Sequence, residues 1–177
     1  MVWSFSYLNK PDNYLTFFSQ SLFKLNRMFG NVEVQSFHLL EALIAAGLGG
    51  VVGLERELRK KPAGFRTYML VAASACVLIN LVEVLIDEFT GDGAVSIDPM
   101  RMIEAIVVGI SFIGGGVIFR KHDSEEVENI TTAALILFAA ILGISVALGQ
   151  YVLAGGLTIF SLIVARTLKM FEEKVIH

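Results

Sequence analysis

Five long apolar runs constrain this chain more than any other feature of its sequence. They cover Phe37–Leu54, Thr67–Ile86, Met102–Phe119, Thr131–Gly149 and Tyr151–Leu168. Each approaches the roughly 20 residues that a helix needs to cross a ~30 Å hydrocarbon core. Because lipid offers no partner to an unpaired backbone amide, the runs predict helices. The sequence therefore predicts an all-α membrane protein with about five transmembrane helices.

The composition agrees with a membrane protein and excludes other classes. Hydrophobic residues make up 55% of the 177 residues and charged residues 18%, with a mean hydropathy of +0.68. A soluble domain carries roughly 25% charged residues. The net charge of −3 provides no basic field for nucleic acid. The single cysteine, Cys76, excludes a disulfide framework and a cysteine-based zinc site.

The sequence carries no motif typical of catalysis. His38, His122 and His177 do not form a pair at metal-ligand spacing, and no nucleophile elbow or phosphate-binding glycine loop is present. We therefore expect a protein that is not an enzyme and that has no cofactor, apart from weak binding of Mg²⁺ considered below.

Charges between the runs predict the orientation. The first loop carries five cations, which are Arg56, Arg59, Lys60, Lys61 and Arg66. The second loop is acidic and holds one cation, Arg101. The positive-inside rule therefore places the first loop and the C-terminus in the cytoplasm and the N-terminus outside.

The chain divides into three predicted parts. Residues 1–36 are too polar to span, but their apolar side chains recur at helical spacing at Phe18, Leu22, Leu25 and Phe29. This pattern predicts an amphipathic helix in the membrane interface. Residues 37–168 form the transmembrane domain, and residues 169–177 form a short cytoplasmic tail.

Small residues predict where helices approach each other. Gly49 and Gly53 form a G-x-x-x-G pair, and Gly143 belongs to a row of small residues at intervals of four. The short joint at Gly149 predicts a helical hairpin. Gly114–Gly116 leave two alternatives open, helix packing or a broken helix beside an ion path, because each glycine weakens a helix by about 1 kcal/mol relative to alanine.

An ordered motif joins the first two runs. Residues 52–70 read VGLERELRKKPAGFRTYML, with Glu55 and Arg56 at the membrane boundary. Glu55 and Arg59 are spaced for an i, i+4 ion pair. Pro62 should end any extension of the first helix, because proline lacks an amide hydrogen.

The second half of this motif predicts a turn and a new helix. Gly64 permits the turn, and Arg66 with Thr67 opens the next helix. We expect the Arg66 guanidinium to bind backbone carbonyls, a lipid phosphate or Glu55.

These residues resemble the signature of the MgtC/SapB family of bacterial inner-membrane proteins. Two further stretches resemble that family in the same order: DPMR at residues 98–101 followed by GISFIGGGVIFR at residues 109–120, and TTAA at residues 131–134. The resemblance covers roughly residues 37–150. It is carried by Glu55, Arg56, Arg59, Pro62, Gly64, Arg66, Thr67, Asp98, Pro99, Arg101, Gly109, Gly114, Gly116, Arg120, Thr131 and Thr132.

The chain departs from the family pattern at three positions. The family usually has Arg-Gly where Glu128 and Asn129 stand, and commonly Trp where Leu137 stands. Larger members also append a soluble C-terminal domain. Any role of that arginine or that domain is therefore not carried over to this chain.

The resemblance implies a multi-pass protein of the bacterial inner (plasma) membrane. It implies a role in adaptation to low magnesium and, in pathogens, in virulence and intracellular stress. We expect a regulator or adaptor whose partners are the lipid bilayer and either another membrane protein or a second copy. The alternative is a transporter of magnesium or another cation, a label that many family members carry.

Four carboxylates are weak metal-ligand candidates for that alternative. Glu41, Glu83 and Glu104 fall at the predicted outer ends of the runs, and Asp87 is an i, i+4 neighbour of Glu83. Together with Asp92 and Asp98, they are expected to form an outward-facing acidic vestibule that binds Mg²⁺ weakly, since Mg²⁺ keeps most of its water and takes one or two carboxylates. The other possibility is that shallow carboxylates simply reach the headgroup region, where burial costs little.

Overall fold

The computed structural model describes residues 18, 32–89, 98–120 and 127–175. The chain separates into two compact units, Met1–Phe37 and His38–His177. The amphipathic helix predicted within residues 1–36 lies outside the described residues, apart from Phe18 and residues 32–36.

Helices dominate the described residues. They are α1 (Val32–Leu58), α2 (Phe65–Phe89), α3 (Pro99–Val117), α4 (Ile130–Ala147) and α5 (Tyr151–Val175). The predicted all-α membrane fold with five helices is confirmed. The helices α1 to α4 are long and apolar enough to cross a membrane, whereas the described apolar part of α5 is shorter than 18 residues. The predicted orientation stays a prediction.

The helix boundaries differ from the predicted runs, most clearly for the first, third and fifth; α5 continues to Val175, beyond the predicted Leu168. Helix α1 is longer at both ends than the apolar run Phe37–Leu54, because a helix can continue past its apolar residues where the flanking polar residues stabilise its ends. Glu33 lies in the first turn and Arg56 in the last turn, as the helix dipole favours. Helix α3 ends at Val117, before the predicted Phe119.

A short β-ribbon explains the early end of α3. Strand β1 (Phe119–Arg120) pairs antiparallel with β2 (Val127–Glu128). Asn129 then adopts a left-handed φ of 68°. Its side-chain amide donates to the Val117 carbonyl at 3.4 Å, so it joins the end of α3 to the start of α4.

Helix α4 has the largest buried share of the four candidate spans. Half of its 18-residue apolar window is buried, compared with 11% for α3. It packs against α2, α3 and α5. At Gly143 the approach to α2 is so close that an added Cβ would collide with the Ala72 carbonyl. The small-residue row of α4 therefore brings two helix backbones into contact.

Helices α1 and α2 pack with a fixed antiparallel register. An added Cβ at Gly49 would lie 2.6 Å from the Tyr68 carbonyl oxygen and 2.8 Å from the Ala72 Cβ. At Gly53 it would lie 2.9 Å from the Phe65 Cα. This register places α1 residues near position 41 opposite α2 residues near position 80.

The predicted hairpin between α4 and α5 is present as a Schellman turn. Gly149 has a φ of +69°. The Gly149 amide donates to the Val146 carbonyl at 2.9 Å, and the Gln150 amide donates to the Ser145 carbonyl at 2.8 Å. The turn fixes Tyr151 as the first residue of α5.

Candidate functional site

Glu55 and its arginines form a buried ion-pair cluster at the end of α1. Glu55 and Arg56 are both buried. The Arg56 Nε donates to the Glu55 Oε2 at 2.8 Å. The Arg59 guanidinium contacts the other oxygen, Oε1, as an ion pair without aligned hydrogen-bond geometry. The i, i+4 pair that the sequence predicts is therefore part of a three-residue carboxylate–arginine cluster (Glu55, Arg56, Arg59).

Glu57 holds the start of α2 against the end of α1. Its Oε2 accepts a hydrogen bond from the Phe65 amide at 2.8 Å, which satisfies one of the unpaired donors of a helix start. An added Cβ at Gly64 would lie 2.9 Å from this oxygen. The left-handed turn residue is Lys60, with a φ of 53°. Gly64 is thus needed for space at the Glu57 carboxylate and not for a positive φ.

Arg66 does not take part in these contacts. Its side chain is exposed at the start of α2. Glu55 is paired with Arg56 and Arg59, so the expected bond from Arg66 to Glu55 is not formed. Pro62 is exposed and follows the end of α1, as expected. Binding of backbone carbonyls or of a lipid phosphate by Arg66 stays a prediction.

The three signature stretches meet at the start of α4. The buried Tyr68 of α2 donates its hydroxyl to the Thr132 carbonyl at 3.3 Å. From α3, Gly114 faces Ala133, whose carbonyl oxygen would lie 3.4 Å from an added Cβ. Thr131, next to the buried Thr132, is exposed. Residues that are distant in sequence are therefore packed around one helix end.

The DPMR stretch is a helix start. Asp98 is the N-cap of α3 and accepts a hydrogen bond from the Met100 amide at 3.0 Å. Pro99 occupies the first turn, where its missing amide hydrogen is not needed. Arg101 lies 3.9 Å from the Asp98 carboxylate, and both are exposed.

Helix α3 is unbroken and presents an open face. It continues through Gly114–Gly116 to its end, so it does not have the geometry of a broken helix. Gly109 and Gly116 have nothing within 4 Å of an added Cβ. Phe112 lies between them on the same face and is 85% exposed. We call Gly109, Phe112 and Gly116 the open face of α3.

A second polar cluster joins three helices. Glu41 of α1 is buried, and its two oxygens accept hydrogen bonds from Asn80 of α2 at 2.9 Å and from the Tyr151 hydroxyl of α5 at 3.0 Å. We call Glu41, Asn80 and Tyr151 the three-helix polar cluster. The sequence singled out Glu41 but missed Asn80 and Tyr151. An asparagine in an apolar run was the available signal for Asn80.

Of the remaining candidate carboxylates, two have described side chains. Glu83 and Glu104 are exposed on α2 and α3. The side chains of Asp87 and Arg120 lie outside the description. Among the residues described, no group of three or more His, Cys, Asp or Glu is placed to hold a metal ion.

Four helices that are long and apolar enough to cross a membrane, an ion-pair cluster at the end of α1 and a polar cluster between helices are typical of a polytopic membrane protein. The model of the MgtC family matches residues 42–174. The chain belongs to the MgtC family.

Relatives from three bacteria are similar over the same region. Protein SapB of Bacillus subtilis (strain 168) is 36% identical over 137 residues, which cover 77% of this chain and 59% of SapB. Protein MgtC of Salmonella typhimurium (strain 14028s / SGSC 2262) is 37% identical over 114 residues, which cover 64% of this chain and 45% of MgtC. YhiD of Escherichia coli (strain K12), whose name describes a candidate magnesium transporter, is 29% identical over 113 residues, which cover 64% of this chain and 52% of YhiD.

The chain spans about half the length of these curated relatives. No solved structure matches it. The family's usual glycine at the position of Asn129 has a structural explanation, because the backbone there is left-handed. Glycine adopts that conformation freely, and asparagine adopts it more readily than most other residues.

Proposed function

We propose that the chain is a non-enzymatic regulator or adaptor of the bacterial inner membrane. It acts in adaptation to low magnesium or intracellular stress and, in a pathogen, supports virulence. The observation that carries this proposal is the open face of α3. This face belongs to the family signature, yet Gly109 and Gly116 pack against nothing within the described part of the chain.

The open face of α3 has the composition of a helix-docking surface in a membrane. Glycines let two helix backbones approach closely, which favours association where the hydrophobic effect between helices is absent. Phe112 stands between the two glycines and offers a large side chain to a partner. The partner in this proposal is a helix of another membrane protein or of a second copy.

Complementation of growth tests this proposal. Gly109→Leu and Gly116→Leu fill the open face without meeting any described atom, and Gly47→Leu is the matched control on α1, because Gly47 is equally open. In a bacterium that lacks its own family member, we expect the two α3 variants to fail to restore growth at limiting magnesium. All three variants should have a melting temperature no lower than that of the wild type, since leucine is a better helix former than glycine. Full growth with both α3 variants would contradict the adaptor role of this face.

A cation transporter is the second candidate function. It is favoured by the buried Glu41, because ionisable residues within membrane helices are rare and often line ion paths. Under this alternative, the outer vestibule also uses Glu83, Asp87 and Glu104. Magnesium flux into liposomes that contain the purified protein separates the two functions. A transporter gives flux above protein-free liposomes and loses it in Glu83→Gln, whereas an adaptor gives no flux.

A further inference from the structure

Glu41 is a buried carboxylate whose charge has no counter-ion in the described part of the chain. Its side chain is 4% exposed. Its two hydrogen-bond donors, the Asn80 amide and the Tyr151 hydroxyl, are neutral. None of the described ion pairs involves Glu41. A buried carboxylate is stable when it is neutralised, either by a bound cation or by a proton.

Asn80 supplies a second and independent indication. It is 2% exposed, and its carbonyl oxygen Oδ1 is buried without a hydrogen-bond partner. This oxygen shares a carbon with the Nδ2 that donates to Glu41, so it belongs to the same buried cluster. A buried acceptor without a partner is unfavourable. A cation bound to both groups would satisfy Oδ1 and neutralise Glu41 together.

We propose that the three-helix polar cluster binds one dehydrated alkali-metal cation. Its atoms are carboxylate, amide and phenol oxygens, which suit hard cations. One carboxylate balances one positive charge, so the charge count favours a monovalent ion. Mg²⁺ gives up its water reluctantly and does not suit a carboxylate this deeply buried.

The position of Tyr151 has a structural consequence for the site. Tyr151 is 43% exposed and bonds to Glu41, so it lies between the buried carboxylate and the protein surface. It follows the Schellman turn at Gly149 directly. A bound cation would therefore tie the α4–α5 hairpin to α1 and α2. This site does not depend on the adaptor function proposed above.

Thermal unfolding of the full chain in detergent tests the site. Na⁺ is the probe, with choline as the control cation at equal ionic strength and fixed pH. We expect Na⁺ to raise the melting temperature of the wild-type protein above its value in choline. In Glu41→Gln the Na⁺ affinity should fall at least about ten-fold, because the opposite charge is lost. Glu33→Gln, an exposed carboxylate of the same helix, should behave as the wild type.

Equal melting temperatures of the wild type in Na⁺ and choline would overturn the proposal, as would an unchanged Na⁺ shift in Glu41→Gln. A larger shift with K⁺ would support the site and assign it to the larger ion. If Glu41→Gln does not fold, Tyr151→Phe serves instead, since it removes one oxygen and keeps the charge. It should weaken Na⁺ binding by a smaller factor, and unchanged affinity in that variant would contradict the site.

Charge counting provides a second test. Asn80→Asp adds a second carboxylate to the cluster, so a divalent ion becomes the better match. We expect Ca²⁺ to raise the melting temperature of Asn80→Asp. Any effect of Ca²⁺ on the melting temperature of the wild type should be the same in Glu41→Gln. A Glu41-dependent shift of the wild type that is larger with Mg²⁺ or Ca²⁺ than with Na⁺ would overturn the monovalent assignment.

Discussion

At the scale of residues, the charged motif at residues 52–70 makes its contacts across the turn between α1 and α2. The pair of Glu55 and Arg59 is predictable, because the i, i+4 rule depends only on local helix geometry. The hydrogen bond between Glu57 and the Phe65 amide is not predictable in this way, since it forms only when the chain reverses direction at Lys60. No rule of sequence spacing connects residues eight positions apart through such a turn.

The three-helix polar cluster could also be predicted only in part from the sequence. Glu41 stands out as a charge in an apolar run, but its partners Asn80 and Tyr151 are neutral and lie on two other helices. Their meeting depends on the close packing at Gly49 and Gly53, which sets the register of α1 on α2. Residue type identified only Glu41. The packing of the helices brings Asn80 and Tyr151 to it.

A double-mutant cycle tests the role of Gly64. Gly64→Ala places a methyl group 2.9 Å from the Glu57 Oε2, so the carboxylate must shift and its bond to the Phe65 amide is weakened. We expect a loss of about 1 kcal/mol in unfolding free energy, the typical value of a helix cap. In a Glu57→Ala background the same substitution should be nearly neutral, with a coupling of about 1 kcal/mol. Additive effects in detergent unfolding would contradict this role.

At the scale of elements, apolar length predicted all five helices and did not predict their ends. The predicted apolar run extends to Phe119, but α3 ends at Val117. Phe119 is the first residue of β1, which pairs with β2. Two-residue strands have no periodic pattern from which they could be predicted. The turn at Gly149 was predictable, because glycine is the usual residue after a helix end.

Glycine substitutions separate buried helix contacts from the open face of α3. Gly143→Ala should strongly destabilise the protein, because its Cβ collides with the Ala72 backbone, which cannot rotate away. Gly109→Ala should be neutral or stabilising by up to about 1 kcal/mol, since alanine is the better helix former and the site is open. Unfolding in detergent measures both. Similar effects at the two positions would show that the packing of α4 on α2 is not as close as described.

At the scale of the whole molecule, the orientation rests on the charges of the loops. In a Cys76→Ala background, a cysteine at Lys60 should react with an impermeant reagent only after the inner face is exposed. A cysteine at Gly93, in the acidic second loop, should react in intact cells. The opposite labelling pattern would reverse the predicted topology.

The central claim is that the open face of α3 receives another membrane helix. The most direct measurement is photocrosslinking in living cells from a benzoylphenylalanine at Phe112, with the same residue at Leu81 of α2 as the control. Both positions are exposed, but only Phe112 lies between open glycines. We expect a discrete crosslinked protein band from Phe112 and none from Leu81, with the mass of the band distinguishing a second copy from a different partner. Absence of a band at Phe112, or equal bands at both positions, would contradict the claim.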